Sequence, residues 1–508
     1  MRISSSIDVL KNSTPRNVPR ATKLGVGADQ TTLIATAISE GIPYYWGGVT
    51  MQCFQTGFWI YSSFIALMEV LLVGSIHASE QIDVGYRDFS CPKSPGRLTG
   101  EKPESKLWFN DGAWWGILCR GDGTTGAYHI HHLDEATQDW LDTGTVVDTR
   151  LKSRADVGWD GTHLYVASHI FSSTGQPVTN SSDRGKLYRF SYDTETKAYS
   201  LDAGFPVDVT GGKSETLVLD KDSTGQLWVT YVESNRVMVN HSLNGDDHTW
   251  ATPFVLPGAN ADSLNKDDIS SIIAYDGHVG IMWSRQTFNN LSEPTTDPNP
   301  QSGREADDSD HLASITMNFA VHDDGADPSA WTSSAIYTAS GDDHINLKAY
   351  GGFVYAAIKT DVDTLLIGLL VCETKWSGCR NHSDWKHYPV FRTKDNDGNS
   401  TQADLLASSQ PNPTRPVVLI DAENRDLYVV ASAKEFDHQA IYYKKTKLDA
   451  INFDPVGPGV PFIRSTTDLG INDPTSTKQN LNSATGLVVL ASDEDSFYYF
   501  HNELALSP

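Results

Sequence analysis

Short hydrophobic runs separated by polar turns recur along the chain after residue 90, always in the same order. Each unit begins with an apolar hairpin, and the seven hairpins span residues 105–119, 153–169, 214–232, 269–284, 344–360, 414–432 and 477–492. Several turns contain the dipeptides Asp-Gly or Gly-Gly, as at Asp160-Gly161 and Gly351-Gly352, which supply the positive φ that tight hairpins require. Because the runs are nearly continuous rather than alternating, we predict strands that are buried on both faces.

Two further strands complete most of these units. A third apolar strand follows every hairpin, and a fourth follows six of them, often after a turn that ends in tryptophan: Trp140, Trp250, Trp331 and Trp385. The seventh unit ends after its third strand, whereas the stretch IDVGYRDF at 82–89 precedes the first unit without a hairpin of its own. The pattern therefore predicts an all-β fold, a seven-bladed β-propeller over residues 79–508, with an N-terminal strand that closes the last blade. The Asp- and Pro-rich stretch 292–311 is predicted as a loop within the fourth blade.

The N-terminal region differs from the repeats. Residues 1–56 form a predicted leader, and residues 57–78 contain an apolar stretch with the length of a signal-peptide core, followed by a sequence similar to a cleavage site. Glu69 would cost about 2.5–3.5 kcal/mol at a bilayer centre, which argues against a permanent anchor. We predict a signal peptide or signal anchor at 57–78, with a buried core helix as the alternative. The propeller is expected to be secreted, or extracellular in a type II membrane-anchored protein.

The net charge restricts the class of partner. A formal charge of −25 excludes nucleic acid as the main partner, because binding phosphate backbones requires a basic surface. A local cationic cleft within an acidic protein still suits an anionic substrate.

Cysteines and glycosylation sequons indicate an oxidising compartment. We predict the disulfide pairs Cys91–Cys119 and Cys372–Cys379, and no Cys-x-x-Cys motif for zinc or redox chemistry occurs. Sequons support this interpretation, and they begin at Asn180, Asn240, Asn290, Asn381 and Asn399.

Ionisable residues are predicted to converge at one mouth of the propeller channel. In a propeller, the innermost strand starts on the face that also carries the loop between the second and third strands. The starts of the inner strands carry Lys106, Arg154, Glu215, Asp268, His344, Arg415 and Lys478. The neighbouring loops add His169, Glu233, Arg285 and Lys359. So many ionisable groups around a concave surface predict a site, although the mouth of any propeller is polar because it is wet.

Some of these residues suit particular chemistry. Arg154, Arg285 and Arg415 could converge on one carboxylate, which guanidinium groups bind in bidentate fashion. His169 and His344 suit proton transfer near neutral pH.

Acidic residues suggest two further kinds of site, one for acid/base chemistry and one for calcium. Glu215 and Asp268 are a candidate acid/base pair for glycosidic chemistry. The pairs Asp267-Asp268 and Asp342-Asp343 offer oxygen ligands for calcium, with turn residues as the alternative, and we expect no other metal or cofactor. The histidines of the stretch HIHH at 129–132 are predicted to be structural, because alternation along a strand splits them between two faces.

The D-G…L-Y-V hairpins and the tryptophan-terminated outer turns, over residues 82–508, resemble the sialidase-like (BNR-type) propellers. The blade count is more similar to the seven-bladed propeller polysaccharide lyases and rhamnosidases than to the six-bladed sialidases. The sialidase resemblance implies an arginine triad for a substrate carboxylate, filled here by Arg154, Arg285 and Arg415. The lyase resemblance implies a base that removes the proton α to a uronate carboxylate and a cation that neutralises it, roles for His169, His344 and Arg415.

These features predict a secreted, carbohydrate-active propeller that recognises an acidic, uronate-containing polysaccharide and cleaves it by β-elimination. His169, His344 and Arg415 are the predicted catalytic residues, and substrate binding is assigned to Lys106, Arg154, Glu215, Asp268, Arg285, Lys359 and Lys478. A sialidase-like glycoside hydrolase is one alternative, and a non-catalytic carbohydrate-binding or adhesion propeller is another. The expected partner is a glycan, with no stable membrane partner unless the segment 57–78 remains as an uncleaved anchor.

Overall fold

The fold is a ring of seven antiparallel sheets, each forming one blade. The structure, a computed structural model, describes residues 79–91, 97–100, 102–121, 126–286, 315–338, 342–362, 365–391, 413–435, 438–453 and 459–508. In each blade the successive long strands are neighbours in the sheet, and the last blade takes its outer strand from the N-terminal part of the chain, which is the strand order of a β-propeller. The predicted all-β, seven-bladed architecture is therefore confirmed. The leader, the segment 57–78 and the stretch 292–311 lie outside the described residues.

The strands are numbered in chain order. β1 (Glu80–Gln81) and β2 (Tyr86–Ser90) precede the first blade, which contains β3 (Leu107–Asn110), β4 (Ala113–Gly121), β5 (Gly126–Asp134) and β6 (Asp139–Asp148). The second blade and a small ribbon beside it contain β7 (Ser153–Trp159), β8 (His163–Ile170), β9 (Gln176–Pro177), β10 (Lys186–Asp193), β11 (Ala198–Leu201), β12 (Val207–Asp208) and β13 (Gly212–Lys213). The ribbon is the pair β9–β13. The third blade contains β14 (Leu217–Lys221), β15 (Leu227–Glu233), β16 (Arg236–Leu243), β17 (Asp246–Trp250) and β18 (Phe254–Val255).

Four strands form each of the next three blades. The fourth blade contains β19 (Ser270–Tyr275), β20 (His278–Gln286), β21 (Ile315–Asp323) and β22 (Trp331–Thr338). The fifth contains β23 (Ile345–Tyr350), β24 (Phe353–Val362), β25 (Leu365–Glu373) and β26 (Trp385–Phe391), with a short helix α1 (Thr374–Ser377) before β26. The sixth contains β27 (Thr414–Asp421), β28 (Asp426–Glu435), β29 (His438–Lys447) and β30 (Val460–Ile463). The seventh begins with β31 (Ile471–Thr475), β32 (Leu487–Asp493) and β33 (Tyr498–Leu504).

The N-terminal strand closes the ring as predicted. β2 pairs antiparallel with β33, placing Tyr86 opposite His501. A buried ion pair supports this closure, because His501 Nδ1 lies 2.8 Å from an oxygen of Asp88. The other ring nitrogen of His501 lies 3.1 Å from Gln138 of the first blade. The last blade is thus joined both to the N-terminal strand and to its neighbour in the ring.

The inner strand of the seventh blade differs from the prediction. The predicted hairpin at 477–492 placed Lys478 at the start of this strand, but the strand is β31, Ile471–Thr475. Its sequence INDPT has no apolar run, so the hydrophobic pattern did not predict a strand there. All five residues are nevertheless buried, and their polar groups find partners, such as Ser432 Oγ, which lies 2.7 Å from Asn472 Oδ1. Lys478 therefore follows the inner strand instead of starting it.

Both predicted disulfides are present. Cys91–Cys119 and Cys372–Cys379 join residues whose Cα atoms lie 6.0 Å and 5.8 Å apart. Within the described ranges, no helix is long and apolar enough to cross a bilayer.

The predicted sequons differ in exposure. Asn180 and Asn381 are exposed, whereas Asn240 is 1% exposed and its Nδ2 donates to the carbonyl of Val209 at 2.9 Å. Asn240 therefore serves the packing of β16. Asn290 and Asn399 lie outside the described residues.

Polar side chains connect the blades where the inner strands face the channel. Asp156 of β7 accepts the backbone N–H of Leu219 in β14 at 2.9 Å. Asp220 of β14 accepts the backbone N–H of Ala274 in β19 at 2.7 Å. Hydrophobic clusters fill the space between the sheets farther out and contain large buried side chains such as Trp228 and Trp283. The inner strands of the second and third blades therefore carry carboxylates that hydrogen-bond to the next blade.

Candidate functional site

The predicted channel mouth is covered by the chain itself. Residues 97–106, here called the mouth segment, lead into β3, and all described residues from 98 to 106 are buried although the sequence is mostly polar. Buried polar groups need hydrogen-bond partners, and the mouth segment finds them around the ring. Thr99 contacts Ser492, Glu104 contacts His169, and Lys102 contacts both Glu215 and Asp343.

His169 lies beneath the mouth segment. It is paired in register with Arg154 across the β7–β8 hairpin, as the sequence predicted. Its side chain, however, is 0% exposed, and its Nε2 lies 2.6 Å from Glu104 Oε1, a side chain that is also 0% exposed. Its Nδ1 lies 3.1 Å from the carbonyl oxygen of Ser214. The structure therefore corrects the expectation that His169 faces an open mouth, because a segment with no strand pattern fills the space in front of it.

Glu104 and Lys106 extend this buried ionic cluster. Burial would raise the pKa of Glu104, but the charges of Lys106 and His169 outweigh it and lower that pKa to about 2. Lys106 Nζ lies 3.2 Å from Glu104 Oε2 and also donates to the carbonyl of Ala155. Burial lowers the pKa of Lys106, and Glu104 opposes that shift. Lys106 was expected to bind substrate, but here it pairs with the protein's own carboxylate.

The three predicted arginines lie in three different blades. Arg154 is 4% exposed in the second blade, where Nη1 donates to the carbonyl of Ser153 at 3.2 Å and the guanidinium lies 5.6 Å from the ring of Phe171. Arg285 is half-buried near the end of β20 in the fourth blade. Arg415 lies in β27 of the sixth blade.

His344 has the geometry of an oriented general base. Its Nδ1 lies 2.6 Å from Asp342 Oδ1 and 2.7 Å from Asp343 Oδ1, and its Nε2 lies 3.1 Å from Thr414 Oγ1. An ionised carboxylate can only accept, so Nδ1 carries the hydrogen. In the neutral ring, Nε2 then presents its lone pair towards Thr414. Lys359 Nζ lies 2.9 Å from the other oxygen of Asp342, and this contact fixes the carboxylate that orients the ring.

Arg415 is held in an unusual backbone conformation beside His344. It follows Thr414 directly, and its φ is 54°. Its Nε pairs with Asp473 Oδ1, and Asp473 also has a left-handed φ, of 53°. Each residue lies at a shift in strand register, between Thr414 and Val417 and between Asn472 and Thr475. Such a conformation costs about 1–3 kcal/mol for a residue other than glycine and is common at functional sites.

Lys102 contacts acidic side chains from two other blades at the mouth. Its Nζ lies 2.6 Å from Glu215 Oε1 and also contacts Asp343 Oδ2. The ligand atoms of Glu215, Asp267 and Asp343 lie within 4.8 Å of one another, so these oxygens suit a cation such as calcium. The ammonium of Lys102 already supplies a positive charge there. The charges of His344 and Lys102 outweigh burial and hold the pKa of Asp343 well below its ordinary value.

Asp268 points away from this cluster. Its Oδ1 accepts from Ser284 Oγ at 3.1 Å and from the backbone N–H of Gln286 at 2.9 Å, and its Oδ2 accepts the backbone N–H of Asn265 at 2.7 Å. Burial raises the pKa of Asp268 to about 7, although these hydrogen bonds oppose the shift. Glu215, its predicted partner in acid/base chemistry, is paired with Lys102 instead. These contacts favour structural roles for both residues.

Lys478 lies inside the channel. Its Nζ lies 2.6 Å from Asp156 Oδ2 and also donates to the carbonyl of Leu219. A second lysine, Lys348, donates to the carbonyls of Thr477 and Gln479, each at 2.9 Å. Burial, together with the charge of Lys478, lowers the pKa of Lys348 to about 7. Both lysines therefore connect the segment that follows β31 to inner strands of other blades.

Sequence reasoning missed the residues that complete the site. Lys102 and Glu104 belong to the stretch EKPESK at 101–106, whose charge density just before an inner strand was the available signal. Thr414 and Asp473 carried no signal, because their roles depend on neighbours distant in sequence. Exposure separates the mouth into two parts, since the side chains of Arg415 and Lys359 are 11% and 16% exposed while that of His169 is fully buried. Solvent therefore reaches the edge of the cluster around His344 at Arg415 and Lys359, while His344 itself is 6% exposed.

Comparison with known proteins gives similarity at the level of structure. No family model matches the chain, and no curated protein matches it. Among solved structures, an ulvan lyase of a new polysaccharide lyase family is similar at a TM-score of 0.45 and 7% identity, over 82% of this chain and 96% of that one.

Two glycan-related enzymes are also similar. An α-L-arabinanase of Penicillium chrysogenum, complexed with arabinobiose, has a TM-score of 0.41 and 10% identity, over 74% of this chain and 99% of that one. A mutant Trypanosoma rangeli sialidase that displays trans-sialidase activity has a TM-score of 0.38 and 12% identity, over 71% and 57%.

Proposed function

We propose that this propeller cleaves a uronate-containing polysaccharide by β-elimination, with His344 as the base and Arg415 as the cation that binds the uronate carboxylate. One observation carries the proposal: the oriented pair of His344 and Asp342 lies beside an arginine in a strained strand bulge. A general base needs a fixed ring and an accessible lone pair, and Asp342 supplies the first requirement. His169 is left out of the chemistry because its side chain is fully buried against Glu104.

The proposed reaction uses two proton transfers and the cleavage of one glycosidic C–O bond. His344 Nε2 takes the proton from the carbon α to the carboxylate, and the electrons of that C–H bond form the double bond to the adjacent carbon. The bond from that adjacent carbon to the glycosidic oxygen breaks, and the leaving oxygen takes a proton, which the imidazolium of His344 can return. In the resting structure the hydroxyl of Thr414 occupies the hydrogen-bonding position at Nε2, so the substrate must displace it.

Arg415 is proposed to stabilise the charge that builds up on the uronate. Removing the α proton places a second negative charge on the carboxylate group, and preorganised cations at such a position give the largest electrostatic benefit. Asp473 pairs with the guanidinium in the resting state, and a substrate carboxylate, which a guanidinium can bind in bidentate fashion, would share or replace this partner. Lys359, on the far side of Asp342, adds positive charge near the same position.

The proposed location is extracellular. Two disulfides suit an oxidising compartment. We propose that residues 1–56 form a leader and that residues 57–78 act as the signal peptide or signal anchor that delivers the propeller outside the cell.

The test is a screen of uronate polysaccharides, with product detected by the ultraviolet absorbance of the unsaturated uronate. His344→Ala is expected to lower the rate by roughly 10²–10⁴-fold, the range for loss of a general base. Arg415→Ala is expected to lower it by roughly 10²–10³-fold, the range for loss of one preorganised electrostatic partner. His248→Ala is the matched control, because it removes a histidine from an exposed His–Asp pair outside the mouth.

Three results would reject the proposal. Full activity in a folded His344→Ala variant would show that His344 is not the base. Depolymerisation without an unsaturated product would indicate a glycoside hydrolase, and binding without any cleavage would indicate a carbohydrate-binding module.

A further inference from the structure

A polar groove lies on the face opposite the mouth, at the seam between the sixth and seventh blades. It has a volume of about 410 Å³, within the range of ligand sites. Its walls come from the β27–β28 turn, from β28 and β29 and from the last residues after β33, and they include Asp426, Tyr443, Lys445, Lys447 and residues 504–507. The turn between the first and second strands of a blade lies at the end remote from the mouth, so this groove is separate from the cluster around His344.

The groove presents positive charge to solvent. Lys445 and Lys447 both pair with Asp426, at 2.6 Å in each case, so two ammonium groups share one carboxylate. Their side chains are 46% and 60% exposed, whereas that of Asp426 is 3% exposed. A second carboxylate, Asp421, is fully buried and accepts hydrogen bonds from its own turn. A ligand entering the groove would therefore meet the ammonium groups and not the carboxylates.

An aromatic surface accompanies these charges. Tyr443, Lys445 and Lys447 are alternate residues of β29 and lie on the same face of the strand. Tyr443 is half-buried, and its ring packs at 5.8 Å from the ring of Tyr428, above which Lys445 Nζ lies at 5.2 Å. Asn424 fixes the remaining wall, because its Nδ2 donates to the carbonyl of Ser507 at 2.7 Å. A rigid aromatic surface beside two exposed ammonium groups suits a ligand with a ring-shaped body and an anionic substituent.

We propose that this groove is a second binding site for an anionic sugar chain. The sugar ring would pack against Tyr443, and its carboxylate would accept hydrogen bonds from Lys445 and Lys447. Such hydrogen bonds are strong because both donor and acceptor are charged. Such a site holds a polymer without acting on it, since no base comparable to His344 is among its lining residues. The inference does not depend on lyase activity at the mouth.

The experiment is a calorimetric titration with a galacturonate hexasaccharide in the His344→Ala/Arg415→Ala background, so that the probe is neither consumed nor bound through Arg415 at the mouth. The groove variant Lys445→Gln/Lys447→Gln/Asp426→Asn removes the excess positive charge without leaving Asp426 as an uncompensated buried carboxylate. We expect it to bind the probe at least tenfold more weakly, which corresponds to about 1.4 kcal/mol. Lys213→Gln is the matched control, because it removes one positive charge from a surface pair with Asp183, and it should bind like the parent.

Hydrogen-exchange mass spectrometry then locates the bound probe. The proposal expects protection within residues 421–428 and 443–447, and expects that a neutral cellohexaose binds more weakly than the uronate. Unchanged affinity in the groove variant, protection confined to the mouth, or equal binding of the neutral sugar would each overturn it. The absence of any binding of the galacturonate probe to the parent protein would overturn it as well. Failure of the lyase screen alone would leave this titration interpretable, because hydrogen exchange assigns the bound probe to the groove or to the mouth.

Discussion

Replacing Glu104 by glutamine should destabilise the propeller by about 3 kcal/mol at neutral pH. Burial would raise the pKa of this carboxyl, yet Lys106 and His169 lower it from 4.5 to about 2. At about 1.36 kcal/mol for each pKa unit, the ionised form contributes about 3 kcal/mol, close to the range of about 3–5 kcal/mol for breaking a buried ion pair. Because the folded-state pKa lies below the ordinary value, this contribution is fully present above pH 4.5 and is lost as the pH falls through about 2.

The assay is urea unfolding followed by tryptophan fluorescence. The free-energy difference between wild type and Glu104→Gln should be about 3 kcal/mol near neutral pH and about half of that at roughly pH 3, since the carboxyl is then protonated in the unfolded chain but still mostly ionised in the folded protein. Other carboxylates titrate in both proteins and cancel in the difference. Glu135→Gln, at an exposed turn position, should stay within about 0.5 kcal/mol of wild type. A Glu104→Gln difference that is equally small, or that does not change with pH, would refute the buried ion pair.

The remaining predictions concern covalent features. Replacing both cysteines of the 91–119 disulfide, which closes a separation of 28 residues, should cost about 3–4 kcal/mol by loop entropy. Replacing those of the 372–379 disulfide, with a separation of 7, should cost about 2–3 kcal/mol. Equal losses, measured by urea unfolding of the two double Cys→Ser variants, would contradict this ranking. When the protein is secreted from a eukaryotic host, peptide mapping should find glycan at Asn180, which is exposed, and none at Asn240, which is buried. Glycan at Asn240 would show that β16 is packed differently.

The candidate site could be predicted only in part, because sequence places residues on strands but not against their partners. His344 and Arg415 were found because they begin inner strands, and the structure sets Thr414, the neighbour of Arg415, at 3.1 Å from His344. His169 was predicted on the same kind of evidence, but in the structure its side chain is buried against Glu104. The difference arises from the mouth segment, whose polar residues have neither strand nor helix periodicity. No pattern search indicates where such a segment will lie.

The sequence by itself determined the blade count and the closing strand, and of three possible disulfide pairings it favoured the one that the structure shows. Hydrophobic runs with Asp-Gly turns specify hairpins locally, and a missing fourth strand at one end of the chain matches an extra strand at the other end. The tertiary structure decided which ionisable residues can be reached from solvent. Charged side chains such as Lys102 and Glu104 are buried where they find partners in other blades, and the free energy of burying a charge depends on those partners. Because the partners are up to 241 residues apart in the chain, only the closed ring brings them together.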